Sequence, residues 1–382
     1  MLAVALVCIA LIAALSYFEI SLAAKVLTLL LLTEIAILAI MAVAVLVRGG
    51  GPDGLMPGTL NPMGAFQANG LPAASVGLAM FIAFWSWTGF ESTVLYGEES
   101  RNPRKIIPIA TLIAVTGVGL FYVFVSWMTV AGNGGEQSIA RSQSAEPLQL
   151  FFHPTEVFVG HGAVVVMEWL MITGSFACAM AFHNAASRYL YALGRESLLP
   201  RPLGRTHPTH GSPYVASAVQ SGLAVFWVVG FAVFQKDPYL DLFVLLAVLG
   251  TFSLLIVQTI TMAAVVRYFA HHHPEENAVR TKIAPGIGGL GMLTVVILMI
   301  MNLDTAAGTA ASSLLFKLIP YVAVALFAFG CSQALYLRRA DPERYDTIGH
   351  VVLATDLHAV VVVGDDDSDP ETELRSSPDL EA

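Results

Sequence analysis

The sequence FIAFWSWTGFESTVLYGEESRNPRK, residues 81–105, decides the predicted fold. It begins as an apolar, aromatic helix, carries Gly89 and Glu91 at predicted mid-membrane depth, and ends in charges on both sides of Pro103. A carboxylate in lipid is costly and normally faces a cavity or a partner, while a neighbouring glycine lets a helix open. The pattern favours a broken helix of the kind that forms substrate sites in secondary transporters. A packing helix with a structurally paired Glu91 is the alternative.

The composition of the 382-residue chain is typical of a polytopic membrane protein. Charged residues make up 12% and hydrophobic residues 56%, whereas soluble domains carry roughly 25% charged residues. The mean hydropathy is +0.71. Several uncharged runs approach or exceed the roughly 20 residues that cross a bilayer as a helix. We therefore predict an all-α fold with the lipid bilayer as its surroundings and no nucleic acid partner.

The apolar runs predict about nine transmembrane spans. These cover residues 2–18, 24–47, 77–96, 106–131, 163–193, 214–234, 240–266, 286–301 and 314–336. The fourth span, 106–131, has Pro108 in its first helical turn, where proline is tolerated. Residues 132–160 are predicted to form a polar loop. Residues 1–338 form the predicted membrane domain, and residues 339–382 form a cytoplasmic, acidic and largely disordered tail.

Lysine and arginine are distributed unequally between the two sides of the predicted spans. If the nine spans alternate in direction, 15 of the 19 lysine and arginine residues flank one side and four flank the other. Short cytoplasmic loops carry the excess of positive residues. The predicted protein is therefore a multi-pass protein of the cytoplasmic (inner) membrane, with its C-terminus in the cytoplasm and the N-terminus of this chain outside.

Three segments together resemble the amino acid–polyamine–organocation permease superfamily. Residues 81–111 resemble the sixth helix and the following loop of those permeases, in the aromatic–Gly–Phe–Glu core and the E-E-x-x-N-P-x-x-x-x-P ending. Residues 184–213, NAASRYLYALGRESLLPRPLGRTHPTHGSP, resemble the end of the eighth helix and the next loop. Residues 21–40 are a looser match to the fifth helix.

The resemblance implies a leucine-transporter-type fold with two inverted five-helix repeats and two further helices. On this mapping the nine spans look like family helices four to twelve, so the chain is expected to be N-terminally truncated and to lack helices one to three. The resemblance implies a permease for amino acids or related amines and polyamines, acting as an antiporter or symporter with a proton or sodium as the candidate coupling ion. The alternative is a non-transporting membrane sensor or assembly subunit, or an inactive fragment, derived from the same fold.

The resemblance also supplies candidate site residues. The pattern W-S-x-x-G-x-E-S is similar to the same helix in arginine/agmatine antiporters, where the tryptophan packs against substrate and the glutamate takes part in proton-sensitive gating. An aromatic face can stack on an aliphatic or cationic group, and freed backbone groups can bind an ammonium or a carboxylate. The candidate substrate-binding residues are Trp85, Ser86, Thr88, Gly89 and Glu91. Glu34 and Glu91 are the proton-coupling candidates, with structural pairing as the alternative for Glu34.

A charged cluster follows the broken helix and resembles the cytoplasmic loop of the family. The candidate cytoplasmic gate residues are Glu98, Glu99, Arg101, Arg104 and Lys105. A solvated anchoring cluster is the alternative. The sequence carries neither a phosphate-binding loop nor a paired-cysteine metal motif, so we predict no enzyme activity, no metal site and no cofactor. Nothing in the sequence indicates an oligomeric state.

Overall fold

The computed structural model describes residues 2–17, 20–61, 79, 82–96, 102–144, 146–208, 210–301, 314–342, 345 and 348. Within this part of the chain the named elements are all helical, and seven of the helices are long and apolar enough to cross a membrane. The predicted all-α polytopic membrane fold is confirmed. Of the predicted tail, residues 349–382 lie outside the described residues.

Ten α-helices are described. They are α1 (Leu2–Tyr17), α2 (Ile20–Val47), α3 (Pro103–Asn133), α4 (Gly135–Ser142), α5 (Gln149–Phe158), α6 (His161–Arg195), α7 (Tyr214–Val233), α8 (Val244–His271), α9 (Ala284–Met301) and α10 (Leu314–Ala340). Short 3₁₀ segments lie at Pro57–Leu60, Phe90–Tyr96 and Arg201–Gly204. Single π-helical turns, Pro238–Phe243 and Val279–Ile283, lead into α8 and α9.

Two clusters of buried apolar residues join seven of these helices. The first joins α2, α3 and α5 through Met41, Val45, Met128 and Phe158, among others. The second joins α7, α8, α9 and α10, and Phe84 of the predicted broken helix packs against it. Many large apolar side chains on the other faces are exposed. An apolar surface of that extent is uncommon on soluble monomers and suits contact with lipid.

The prediction that residues 132–160 form a loop is wrong. They fold into α4 and α5, and α5 packs against α2, α3 and α6. Pro154 lies inside α5 and cannot supply the N–H that the Leu150 carbonyl would receive in a regular helix. The side-chain amide of Asn133, the last residue of α3, donates to that carbonyl over 2.8 Å instead. A residue outside α5 thus satisfies the backbone group that its proline leaves free.

The start of the fourth span and the length of the fifth differ from the predicted ranges. Helix α3 begins at Pro103, the first helical position, and Pro108 lies inside it. Helix α6 has 35 residues, which corresponds to about 52 Å at 1.5 Å per residue. That length exceeds a hydrocarbon core of about 30 Å, so α6 must tilt or extend beyond it.

The loops before and after α6 test the membrane crossing of this helix. Ser144 and Thr206 are exposed on either side of α6 along the chain. In a background without Cys8, Cys178 and Cys331, we expect Ser144→Cys to react with an impermeant maleimide on intact cells. Thr206→Cys should react only after permeabilisation, because its loop lies on the side with more positive charge. Labelling of both positions on intact cells would contradict a single crossing by α6.

Candidate functional site

The predicted break in the helix is present at Gly89. Residues 82–86 are helical, residues 87–89 form a turn, and a 3₁₀ segment, Phe90–Tyr96, follows. Gly89 has a φ of +116°, a backbone conformation that glycine adopts far more readily than other residues. The turn therefore interrupts the helix directly before a 3₁₀ segment that packs against α3 and α6.

Two side chains of the segment itself form hydrogen bonds with the N–H and the carbonyl of Gly89. The Gly89 N–H donates to Oε2 of Glu91 over 2.9 Å. The Ser92 hydroxyl donates to the Gly89 carbonyl. Glu91 is half-buried and stabilises the break as a hydrogen-bond acceptor in this conformation. A residue predicted to face the substrate is thus also part of the local backbone structure.

A cavity of about 370 Å³ lies between the broken segment and helices α3, α8 and α9. Its walls are mainly apolar, with three polar side chains among them. The lining residues are Ala83, Phe84, Trp87, Thr88, Phe90, Val115, Thr251, Leu254, Leu255, Gln258 and Met292. Its volume and its few polar groups are typical of small-molecule sites, which span roughly 300–1,000 Å³.

Thr88 is the predicted substrate-binding residue that lines this cavity. Its hydroxyl oxygen is buried and has no hydrogen-bond partner among the described residues. An unsatisfied buried polar group costs roughly 1–3 kcal/mol. A ligand in the cavity that hydrogen-bonds to this hydroxyl would remove the cost, so the position favours ligand binding over simple packing.

The other predicted substrate residues lie elsewhere around the break. The Trp85 ring packs against Phe243 at 5.5 Å between centroids, in the π-helical turn before α8. The Ser86 hydroxyl is exposed and donates to the Ile82 carbonyl of its own helix. Thr88 alone of the five predicted residues lines the cavity, while Gly89 and Glu91 shape the turn next to it.

Of the lining residues that the sequence analysis missed, three carry polar groups: Trp87, Thr251 and Gln258. The Trp87 indole donates to the Val115 carbonyl over 3.3 Å, and its ring lies against Gly119, where a methyl group would come within 2.8 Å of it. Gln258 offered a usable signal, because a polar amide within an apolar membrane span is costly and normally faces a cavity or a partner. Trp87 offered none, since the same stretch also contains Trp85.

The coupling and gate candidates are not gathered at this cavity. Glu34 lies in α2 and lines a different cavity. Glu98, Glu99 and Arg101 lie outside the described residues. Arg104 and Lys105 are in the first turn of α3, where Lys105 is exposed. In the described part of the chain no group of three His, Cys, Asp or Glu side chains could hold a metal ion.

Comparison with known proteins assigns the family. Residues 1–329 match the model of the amino acid permease family. The chain belongs to the amino acid permease family. This membership agrees with the resemblance seen in residues 81–111 and with the seven apolar helices of a multi-pass membrane protein.

Individual relatives are similar to only part of the chain. The chain is 27% identical over 203 residues to an uncharacterized transporter of Rhizobium meliloti, covering 53% of this chain and 41% of that protein. It is 25% identical over 154 residues to the methylthioribose transporter of Bacillus subtilis, covering 39% and 32%. It is 28% identical over 170 residues to the gamma-aminobutyric acid permease of Escherichia coli, covering 44% and 34%. The matched part of the chain spans less than half the length of these curated relatives.

Gly89→Ala tests the backbone conformation at the break. An added methyl group would meet no heavy atom within 4 Å, so any effect must come from the positive φ. We expect the purified protein to lose roughly 1–3 kcal/mol of stability, seen as a lower midpoint of thermal unfolding in detergent. The matched control is Gly117→Ala, in α3 and equally free of neighbours, which should be neutral or stabilising. Equal midpoints for the two variants would argue against a strained turn at Gly89.

Proposed function

We propose that the protein is a secondary active transporter that moves amino acids or related amines across the cytoplasmic membrane. The observation that carries this proposal is the unpaired Thr88 hydroxyl, which lies at a helix break and faces an apolar cavity. Membership of the amino acid permease family supports transport over catalysis. The positive charges on one side of the spans support an orientation with the C-terminus in the cytoplasm.

The substrate class is inferred from the chemistry around the cavity. Its apolar wall suits an aliphatic or aromatic side chain, and the neutral groups of Thr88, Thr251 and Gln258 suit hydrogen bonds without a charge requirement. The Glu91 carboxylate suits an ammonium, and its movement would free the Gly89 N–H, which it accepts in this conformation, to bind a carboxylate. The gamma-aminobutyric acid permease is a relative with such a substrate, whereas the methylthioribose transporter carries a different class of molecule.

Glu91 links substrate binding to the shape of the break in this proposal. Its carboxylate accepts the Gly89 N–H, and an arriving ammonium would compete for the same oxygens. A ligand shifts a conformational equilibrium only through a difference in its affinity for the two states. Binding that draws Glu91 away from Gly89 supplies such a difference, because it favours the conformation in which the turn is rearranged. Protonation of Glu91 would act on the same hydrogen bond between Glu91 and the Gly89 N–H. We therefore prefer Glu91 as the proton-coupling residue.

The remaining candidates have supporting places in the mechanism. Trp85, packed on Phe243, would hold the broken segment against the start of α8. The charged cluster from Glu98 to Lys105 would form the cytoplasmic gate that opens and closes beneath the cavity. Glu34 remains a second coupling candidate on a separate helix.

Thr88→Val tests the binding role of the cavity in proteoliposomes. The change removes the hydroxyl and keeps the branched shape. We expect uptake of the transported substrate to fall about tenfold, which corresponds to about 1.4 kcal/mol for one lost hydrogen bond. The stability of the empty protein should be unchanged or higher, because an unsatisfied buried hydroxyl is gone. The transported substrate is first identified by testing the uptake of labelled amino acids, gamma-aminobutyrate and polyamines by the wild-type protein.

The matched control is Thr261→Val. Thr261 lies on the exposed face of α8 and already donates to the Val257 carbonyl over 2.8 Å, so uptake should stay within about twofold of wild type. Equal uptake by Thr88→Val and wild type would remove Thr88 from the site. An absence of uptake by the wild-type protein for every labelled compound would overturn the transport proposal and favour a non-transporting membrane role.

Glu91→Gln tests proton coupling. The glutamine oxygen can still accept the Gly89 N–H, so the break should persist while the change of charge is lost. We expect substrate binding to be retained and the dependence of uptake on pH to become flat. The control is Glu168→Gln. Glu168 is another carboxylate within the membrane helices, but it lies on the exposed face of α6, so this variant should keep the wild-type dependence of uptake on pH. Superimposable pH profiles for wild type and Glu91→Gln would make Glu91 a structural residue.

A further inference from the structure

A second cavity lies away from the broken helix, between α2, α5 and α6. Its volume is about 330 Å³. The wall contains two phenylalanines, two methionines and one carboxylate. The lining residues are Glu34, Ile37, Leu38, Leu148, Phe151, Phe152, Met167, Leu170, Met171, Gly174 and Ser175. It shares no lining residue with the cavity at Thr88.

Glu34 is the one ionisable group in the described wall of this cavity. It is the fifteenth of the 28 residues of α2, and therefore lies near the middle of the span. Its Oε1 atom is buried and has no hydrogen-bond partner among the described residues. The carboxylate lies directly over Gly174 of α6, where a methyl group would collide with it. Gly174 thus makes room for a carboxylate that no described residue neutralises.

The rest of the wall offers no competing partner for that carboxylate. Ser175 already donates its hydroxyl to the Met171 carbonyl over 2.7 Å. No described lining residue carries a positive charge. A carboxylate at membrane depth normally faces a partner or a cavity, and among the described residues the half-buried Glu34 faces this cavity.

We propose that this cavity binds a primary amine with an apolar body, held by an ion pair between its ammonium group and Glu34. The ammonium would donate to the unpaired Oε1, and the aromatic faces of Phe151 and Phe152 would add attraction for a cation. An amine that arrives neutral can take the proton of a protonated Glu34, so that the proton moves from the carboxyl oxygen to the amine nitrogen and the same ion pair results. The methionines and leucines of the wall cover the apolar body.

The same wall selects against amino acids. An α-carboxylate next to the ammonium would enter an apolar space where no described cation could pair with it, and burial of an unpaired charge is strongly unfavourable. A neutral alcohol of the same shape would lack the charge that Glu34 attracts. The site therefore distinguishes amines from zwitterions and alcohols, which is a different selectivity from that proposed for the cavity at Thr88.

Equilibrium binding of three probes to the purified protein in nanodiscs tests this site. The probes are phenethylamine, its alcohol analogue 2-phenylethanol, and phenylalanine. We expect phenethylamine to bind at least about tenfold more tightly than either of the others, measured by calorimetry. The measurement needs no transport, so its result stands apart from the uptake experiments.

Two variants locate the probe. Glu34→Gln should weaken phenethylamine binding about tenfold or more, and Gly174→Ala should also weaken it because the new methyl group displaces the carboxylate. Glu168→Gln on the exposed face of α6 is the matched control and should bind within about twofold of wild type. Each variant is first checked for a monodisperse elution profile.

Three outcomes would overturn the proposal. They are an absence of phenethylamine binding to the wild-type protein, equal binding by wild type and Glu34→Gln, and binding of phenylalanine as tight as that of phenethylamine. Equal weakening by Glu34→Gln and Glu168→Gln would mean a general effect of membrane charge, and it would count against the site as well.

Discussion

The constraint on which this structure depends is that backbone polar groups inside a membrane must find partners within the protein. The helix can open at Gly89 because the Glu91 carboxylate accepts the Gly89 N–H and the Ser92 hydroxyl donates to the Gly89 carbonyl. Helix α5 can contain Pro154 because Asn133 donates to the Leu150 carbonyl. In both places side chains hydrogen-bond to backbone groups of an irregular segment, and that segment borders a cavity. Irregular backbone at membrane depth is tolerated only where the protein or a cavity surrounds it.

The described part of the protein contains three buried side-chain oxygens without a hydrogen-bond partner, and two of them line the two cavities. These are the Thr88 hydroxyl and Oε1 of Glu34; the third belongs to Thr129 in α3. Unsatisfied buried polar groups are rare in folded proteins and call for an explanation. A ligand is the simplest explanation where the group faces an empty volume of small-molecule size. Nothing in the structure explains the third, since Thr129 lines neither cavity.

The broken segment also joins the two halves of the helix packing. Phe84, before the break, packs against the cluster of α7 to α10, and the 3₁₀ segment after the break contacts α3 and α6. A change in the turn at Gly89 would therefore alter the contacts of the broken segment with both groups of helices. Transporters work by moving one group of helices relative to another around a site, and a segment with one end in each group is well placed to link substrate binding to such a movement.

The sequence by itself determined the membrane class, the helical fold and the position of the break, because composition, apolar run length and a glycine beside a carboxylate are local properties. It also pointed to the family through residues 81–111. Only the tertiary structure decided which tryptophan faces the cavity: Trp87 lines it and Trp85 packs on Phe243. The break shifts the helical phase, so periodicity cannot assign faces there. The structure also decided that α5 is a helix with Pro154 inside it, in which the Leu150 carbonyl accepts a hydrogen bond from Asn133, a residue outside α5 that folding brings to it.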